Sequence, residues 1–294
     1  MPLQISKTTP AHKWQFEAIG TRWSIETTEA LTDEMEQKIQ RRIEAFDMMY
    51  SRFRNDSIVT RMRRSVGTYN LDEQSARLAP LYRQLYQLTD GAMTPLVGEG
   101  LVAAGYDEHY SLTPRGPHTA PEWDHTITWQ GNAITTKQPI LIDVGAAGKG
   151  ALVDAIAEIL SAHGLSNYVI DASGDICHRG DDFQTIGLEH PLDATKVVGT
   201  MQVSNASLCA SASNRRRWAD GWHHILDGRT GKPVEDVIAT WVIAGDTMTA
   251  DGLATALFFV DAKKLQDVAD FQFVRLFANG KSEHSPEIMG QLYI

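Results

Sequence analysis

Residues 141–154 read LIDVGAAGKGALVD, and the order of residue types in this stretch decides the fold. Leu141 to Val144 has the composition of a short strand, and Gly145 to Gly150 is a glycine-rich turn. A helix follows at once, with Leu152, Ile156, Ile159 and Leu160 on one face and Gly164 closing it. The turn is not a P-loop, because Asp143 stands where the first glycine is needed and Gly150 where the magnesium-binding Ser/Thr belongs. Free amides at a helix N-terminus, with the dipole behind them, suit a phosphate or diphosphate, and Lys149 would add a point charge. A tight connection that needs glycine only for its backbone angles is the alternative.

Working upstream, Thr126 to Thr136 has the pattern of a hairpin turning at Gln130-Gly131-Asn132, and residues 109–123, rich in Pro, Gly, Ser and Thr, form a surface loop. A helix is expected from Pro80 through Leu81, Leu85 and Leu88 to an Asp90-Gly91 stop. Met35, Ile39, Ile43, Phe46 and Met49 mark another, with Asp33 and Glu36 as its capping pair. Thr21 to Thr27 alternates as a strand after Gly20. Downstream, strands are expected at Tyr168–Asp171 before a Ser173-Gly174-Asp175 turn, and at Phe183–Leu188, Val197–Val203 and Ile238–Ala244. A helix begins near Thr249 and carries Leu253, Leu257 and Phe258; a strand through Phe271, Phe273 and Phe277 leads to an Asn279-Gly280 turn. Hairpins mixed with helices favour an α+β domain spanning residues 1–294, as one unit or two closely packed lobes, over a regular βαβ array.

Composition narrows the function classes. The chain has 294 residues, 43% hydrophobic and 22% charged, with a net charge of -10. That acidic balance argues against nucleic-acid or anionic-membrane partners. Cys177 and Cys209 are the only cysteines, too few for a disulfide framework or a cysteine zinc site, and read as small buried side chains. Met1 to Lys13 has no apolar h-region or lipid-anchor cysteine, and no run of ~18 apolar residues appears, so a cytoplasmic chain without membrane anchor is expected.

Two further clusters carry chemistry. Asp251 and Thr255 stand at i and i+4, so a helix projects both oxygens from one face, a hard-ligand pair suited to Mg²⁺; a helix carboxylate with a back-bonding threonine is the plainer alternative. His223 and His224 point to opposite faces of an extended segment, so one can face inward as a general base; a histidine making only a structural hydrogen bond is the plainer alternative. Asp227 to Pro233 has the composition of tight turns. Arg215, Arg216 and Arg217 read as a solvated face or a phosphate contact. Gly98-Glu-Gly-Leu-Val-Ala103 matches a dinucleotide fingerprint only by coincidence, since Pro95 spoils the preceding strand.

Taken in order, these segments resemble the ApbE family of FAD:protein FMN transferases. Gly20-Thr21-Arg22-Trp23 is similar to its M-G-T-x-W, and Tyr50-Ser51-Arg52-Phe53 with Ser57 to the segment before S-x-x-x-x-L-N. Asp90 to Pro95 with Val97-Gly98 resembles D-G-A-F-D-P-T-V-G, and Asp143 to Gly150 with Asp154 resembles D-L-G-G-I-A-K-G-x-x-x-D. Ser173 to Ile176 is similar to G-G-D-I, His224 to Pro233 to H-I-I-D-P-R-T-G-x-P, and Ala250 to Ala256 to A-D-A-L-S-T-A.

The resemblance implies an α+β, T-fold-related architecture of largely antiparallel sheets with packed helices. It implies FAD as substrate, Mg²⁺ held by Asp251, Thr255 and the Gly148 carbonyl, and an acceptor flavoprotein modified on a serine or threonine. His224 would activate the acceptor hydroxyl, with Asp251 as the second catalytic residue. Gly20, Thr94, Gly145, Lys149, Asp171, Ser173, Asp175, Ser211, His224 and Arg229 would contact FAD. Thr94, Gly228 and Ser211-Ala212 depart from the F-D-P, D-P-R and S-G of the family, with consequences for FAD geometry or acceptor choice. Hydrolysis of FAD to FMN and AMP, and FAD binding without catalysis, are the rival readings.

Overall fold

The computed structural model describes residues 4–6, 12–214, 216–219 and 221–293. Arg215 and most of the segment from Met1 to Lys13 lie outside the described residues. Eight strands form one antiparallel sheet whose spatial order follows the chain: β1 (His12–Ala18), β2 (Thr21–Thr27), β3 (Tyr168–Asp171), β4 (Asp175–Arg179), β5 (Ser207–Ala212), β6 (Val237–Ala244), β7 (Phe271–Phe277) and β8 (Ser282–His284). The fold is thus α+β, as expected, and it is a meander interrupted by insertions.

The longest insertion, between β2 and β3, holds the helices α1 (Asp33–Tyr50), α2 (Ser75–Leu88) and α3 (Gly148–Ala162). α4 (Thr247–Ala256) connects β6 to β7. A second sheet, ordered Gln4–Ser6, Gln184–His190, Asp193–Val203 and Gly290–Leu292, arises mainly from the β4–β5 connection.

Strand alternation explains the layering. Ile170, Cys177, Cys209 and Val242 face the helices and share a core with Ile39, Leu85, Leu152, Ile156 and Leu253. Val169, Ile176, Leu208, Trp241 and Val274 face the other way and pack with Ile186, Leu188, Val198 and Met201 of the second sheet. The central strands of the eight-stranded sheet are therefore buried on both faces, which is why β3 and β6 read as continuous apolar runs. Both cysteines lie in the core as small buried side chains.

Several expectations change. Leu141–Val144 is extended but pairs with no strand; Asp143 N donates to Pro95 O at 2.8 Å and, just before the segment, Ile140 N donates to Met62 O at 3.1 Å. α1 is capped by Thr32, whose hydroxyl accepts from Met35 N, so Asp33 is the first helical residue rather than the cap. α2 begins at Ser75, with Pro80 inside it. The bond a proline cannot make would reach Ala76, still in the first turn, so the break is mild. α4 begins at Thr247, where Asp246 accepts from Thr249 N and from its hydroxyl, both at 2.9 Å.

Asp154 completes that start from α3. Its two carboxylate oxygens accept from Thr247 N at 2.9 Å and Met248 N at 3.0 Å. α3 and α4 cross so closely there that a Cβ on Gly150 would stand 2.3 Å from Thr247 O. This crossing locks the glycine-rich turn against the helix that carries Asp251 and Thr255.

Candidate active site

A cavity of about 870 Å³ opens beside that crossing. Its walls are the β1–β2 turn at Ile19-Gly20, the C-terminal half of α1, the turn 143–149, the end of β5 through Asn214, His224, and the inward face of α4. Gly20 and Ile19 hold φ of 75° and 44°, so this turn uses the glycine's left-handed freedom at the rim.

Asp251 is buried, and its Oδ2 accepts from Gly150 N at 3.0 Å. One turn on, Thr255 Oγ1 lies 3.5 Å from Ala146 O and 3.4 Å from Ser211 Oγ. A carboxylate, two hydroxyls and a turn carbonyl thus gather at the cavity wall through long, weak contacts. Burial first, and then the Asp175 carboxylate, push the Asp251 carboxyl well above its ordinary value. A cation beside it would reverse that cost. Among the described residues no group of three His, Cys, Asp or Glu side chains could hold a metal, so a metal here would rest on one carboxylate and neutral oxygens, a hard donor set suited to Mg²⁺. The carbonyl bonded to Thr255 belongs to Ala146; Gly148 also lines the cavity but is already the first residue of α3.

The two histidines separate as the alternation predicts. His223 turns away, its Nε2 bonded to Val234 O at 2.8 Å and its Nδ1 accepting from Ile225 N at 3.3 Å. His224 lines the cavity, and its buried Nδ1 has no hydrogen-bond partner among the described residues. Burial, reinforced by the Arg216 cation, lowers its pKa to about 3, so the ring is neutral at physiological pH.

Most of the residues expected to contact FAD reach the cavity: Gly20, Thr94, Gly145, Lys149, Ser173, Ser211 and His224. Three do not line it. Arg229 lies half-exposed on the surface, its Nη2 2.6 Å from Asp227 Oδ2. Asp171 accepts from Gly174 N at 3.1 Å and shapes the turn that presents Ser173. Asp175 is 1% exposed beneath Lys149, whose Nζ stands 3.2 Å from Asp175 Oδ2 and donates to Ala172 O at 3.0 Å. Lys149 is therefore anchored from below as well as facing the cavity. Burial opposes its charge, but Asp175 and Asp251 outweigh it and raise its pKa.

Two of the motif departures touch each other. A Cβ on Gly228 would lie 2.6 Å from Thr94 Cγ2 and 3.0 Å from Gly91 O. The threonine methyl occupies the space that a side chain at 228 would need. Thr94 itself uses its hydroxyl to accept from Leu96 N at 3.2 Å.

Other cavity residues carried no assigned role in the sequence. Arg52 donates from Nε to Asp143 Oδ2 at 2.7 Å and lies under the rings of Phe53 and Tyr106. Phe53 stacks with Tyr110 of the 109–123 loop, the rings 5.2 Å apart and 7° from parallel. Asn214 presents an Oδ1 without a partner among the described residues. Only Arg52 and Phe53 left a trace, inside a quoted motif; a lone asparagine and a loop tyrosine leave none.

The model of the ApbE family matches residues 19–276. The FAD:protein FMN transferase of Salmonella typhimurium is 25% identical over 284 residues, covering 88% of this chain and 81% of the relative. That of Vibrio cholerae is 26% identical over 254 residues, covering 80% and 76%. Among solved structures, the flavin transferase ApbE from Vibrio cholerae superposes with a TM-score of 0.75 at 22% identity, covering 94% of this chain and 98% of that one. The ApbE protein from Thermotoga maritima gives 0.77 at 22% identity, covering 94% and 97%. At such identities the superpositions establish the fold.

Proposed function

The chain belongs to the ApbE family, and on that premise we propose that it is an FAD:protein FMN transferase, cleaving FAD and joining its FMN half to a serine or threonine of an acceptor flavoprotein. The observation that carries this reading is the placement of Asp251, Thr255 and His224 on the walls of one cavity of about 870 Å³, large enough for most of a dinucleotide.

The acceptor hydroxyl oxygen attacks the FMN phosphorus, a new P–O bond forms, and the bond to the bridging oxygen breaks to release AMP. His224, neutral and unpaired at Nδ1, takes the hydroxyl proton. Burial makes it a weak base, and the negative charge of a bound diphosphate would raise its proton affinity. Asp251, Thr255 and the carbonyl of Ala146 or Gly148 would hold Mg²⁺, which offsets charge on the diphosphate. Lys149, steadied by Asp175, adds fixed positive potential to that wall. Ser173 and Gly20, at left-handed positions of the rim, present backbone where a ligand approaches closely.

The test is direct. The purified chain with FAD, Mg²⁺ and a candidate acceptor should release AMP and add the mass of FMN to the acceptor. AMP without a labelled acceptor would make it an FAD hydrolase; FAD binding without AMP would make it a binding protein.

A further inference from the structure

Arg52 is buried and held by two hydrogen bonds and two aromatic rings, yet one of its nitrogens is left over. Its side chain is 2% exposed, its Nε donates to Asp143 Oδ2 at 2.7 Å, and its Nη1 donates to Tyr106 O. The guanidinium carbon sits 4.2 Å from the centroid of the Phe53 ring and 4.4 Å from that of Tyr106. Two hydrogen bonds and two ring faces fix the plane, so it cannot turn to relieve an unmet donor. Nη2 is such a donor, buried and without a partner among the described residues. The residue lines the cavity. A buried N–H left unpaired destabilises the empty protein and marks a place where a ligand atom belongs.

We infer that Arg52 reads the flavin ring, with Nη2 donating to a carbonyl oxygen of the bound isoalloxazine. The inference rests on the FAD reading above and deepens it. Charge favours a neutral oxygen over a phosphate, because Asp143 already offsets the guanidinium at 2.7 Å. The surroundings favour a flat ring. Phe53, Tyr106 and Tyr110 form an aromatic shelf around Arg52, extended by Val97 and Leu101 on the same cavity wall. Of the two ring systems of FAD, the isoalloxazine has carbonyl acceptors on its edge and adenine has none. Adenine accepts only through ring nitrogens, so a penalty confined to one thio-substituted carbonyl, with ADP binding untouched, tells the flavin half from the adenine half on the shelf.

The experiment measures equilibrium binding of riboflavin, 2-thioriboflavin and 4-thioriboflavin to the full chain by flavin fluorescence and absorbance. ADP displacement is followed in parallel. Replacing the read oxygen by sulfur weakens its hydrogen bond, so one thio analogue should bind wild type about tenfold more weakly than riboflavin. In Arg52→Lys, which keeps a cation beside Asp143 but loses Nη2, riboflavin itself should weaken about tenfold. The penalty between riboflavin and the analogue should then vanish, with ADP affinity unchanged. A lost packing contact would weaken all three flavins alike and leave the penalty in place. Both thio analogues binding wild type as riboflavin does would overturn the assignment, and that comparison stands even if the variant fails to fold. A variant that loses ADP and keeps riboflavin would move the donor to a phosphate. A wild type that binds neither riboflavin nor FAD would sink the FAD reading itself, a different result from flavin binding without a thio penalty.

Discussion

Gly150→Ala places one methyl at the crossing of α3 and α4. The new Cβ would stand 2.3 Å from Thr247 O, 2.7 Å from Thr247 C and 2.8 Å from Met248 Cα, all backbone atoms with no rotamer to yield. Restoring ordinary contact distances requires α4 to retreat by about 1 Å. Overpacking of this kind costs ~3 kcal/mol at the upper end of its usual range, and alanine returns ~1 kcal/mol of helix propensity. The net of about 2 kcal/mol corresponds to a Tm lower by about 4 °C in a chain of this size. The effect on turnover is larger, because the retreat opens the 3.0 Å bond from Gly150 N to Asp251 and shifts Thr255 with it. A displacement of ~1 Å at a reacting centre costs about 100-fold in rate. Differential scanning calorimetry and AMP release from FAD measure the two effects on one preparation. Gly245→Ala is the control, since a Cβ there meets nothing within 4 Å. If Gly150→Ala keeps its Tm within 1 °C and its full rate, the crossing does not position Asp251 and the reasoning fails.

Other outcomes follow from the same geometry. Asp154→Ala leaves the buried Thr247 and Met248 amides unpaired and should cost ~2–4 kcal/mol, read as a fall in the denaturation midpoint; loss below 1 kcal/mol would show that Asp246 caps α4 unaided. Because burial lowers His224 from its ordinary value of 6.5 to about 3, the unfolded chain binds a proton there that the folded chain refuses. Stability should fall as pH drops below about 6.5 toward 3, and His224→Gln should flatten that slope; an unchanged slope would place the acid sensitivity elsewhere. Gly228→Ala should weaken FAD binding by about tenfold through its clash with Thr94, and Thr94→Ser, which removes the offending methyl, should restore part of it in the double variant; strict additivity in titrations would deny the contact.

Much of this was legible before any coordinates. Period-3.6 patterns located α1, α3 and α4, alternation located β2, and short apolar runs located β3, β6 and β7, because each of these segments buries its apolar side chains. The spacing of Asp251 and Thr255 and the opposition of His223 to His224 are local facts of backbone geometry, and they survive into the fold. Leu141–Val144 misled because its apolar side chains enter the core from an extended segment with no ladder, and composition cannot tell the two apart. Arg229 closes on Asp227 two residues away and stands off the cavity wall, a local pairing that the motif does not encode. The shelf of Phe53, Tyr106 and Tyr110 joins the end of α1 to two separate points of a long connection, a meeting that only tertiary packing creates.

On the proposed reading, Asp251 and Thr255 hold a divalent cation facing a diphosphate. Electron paramagnetic resonance of Mn²⁺ titrated into the protein with ADP measures it most directly. One Mn²⁺ should bind per chain with ³¹P hyperfine coupling, lost in Asp251→Ala and weakened in Thr255→Ala. Mn²⁺ bound equally well by both variants, or bound without phosphorus coupling, would contradict it.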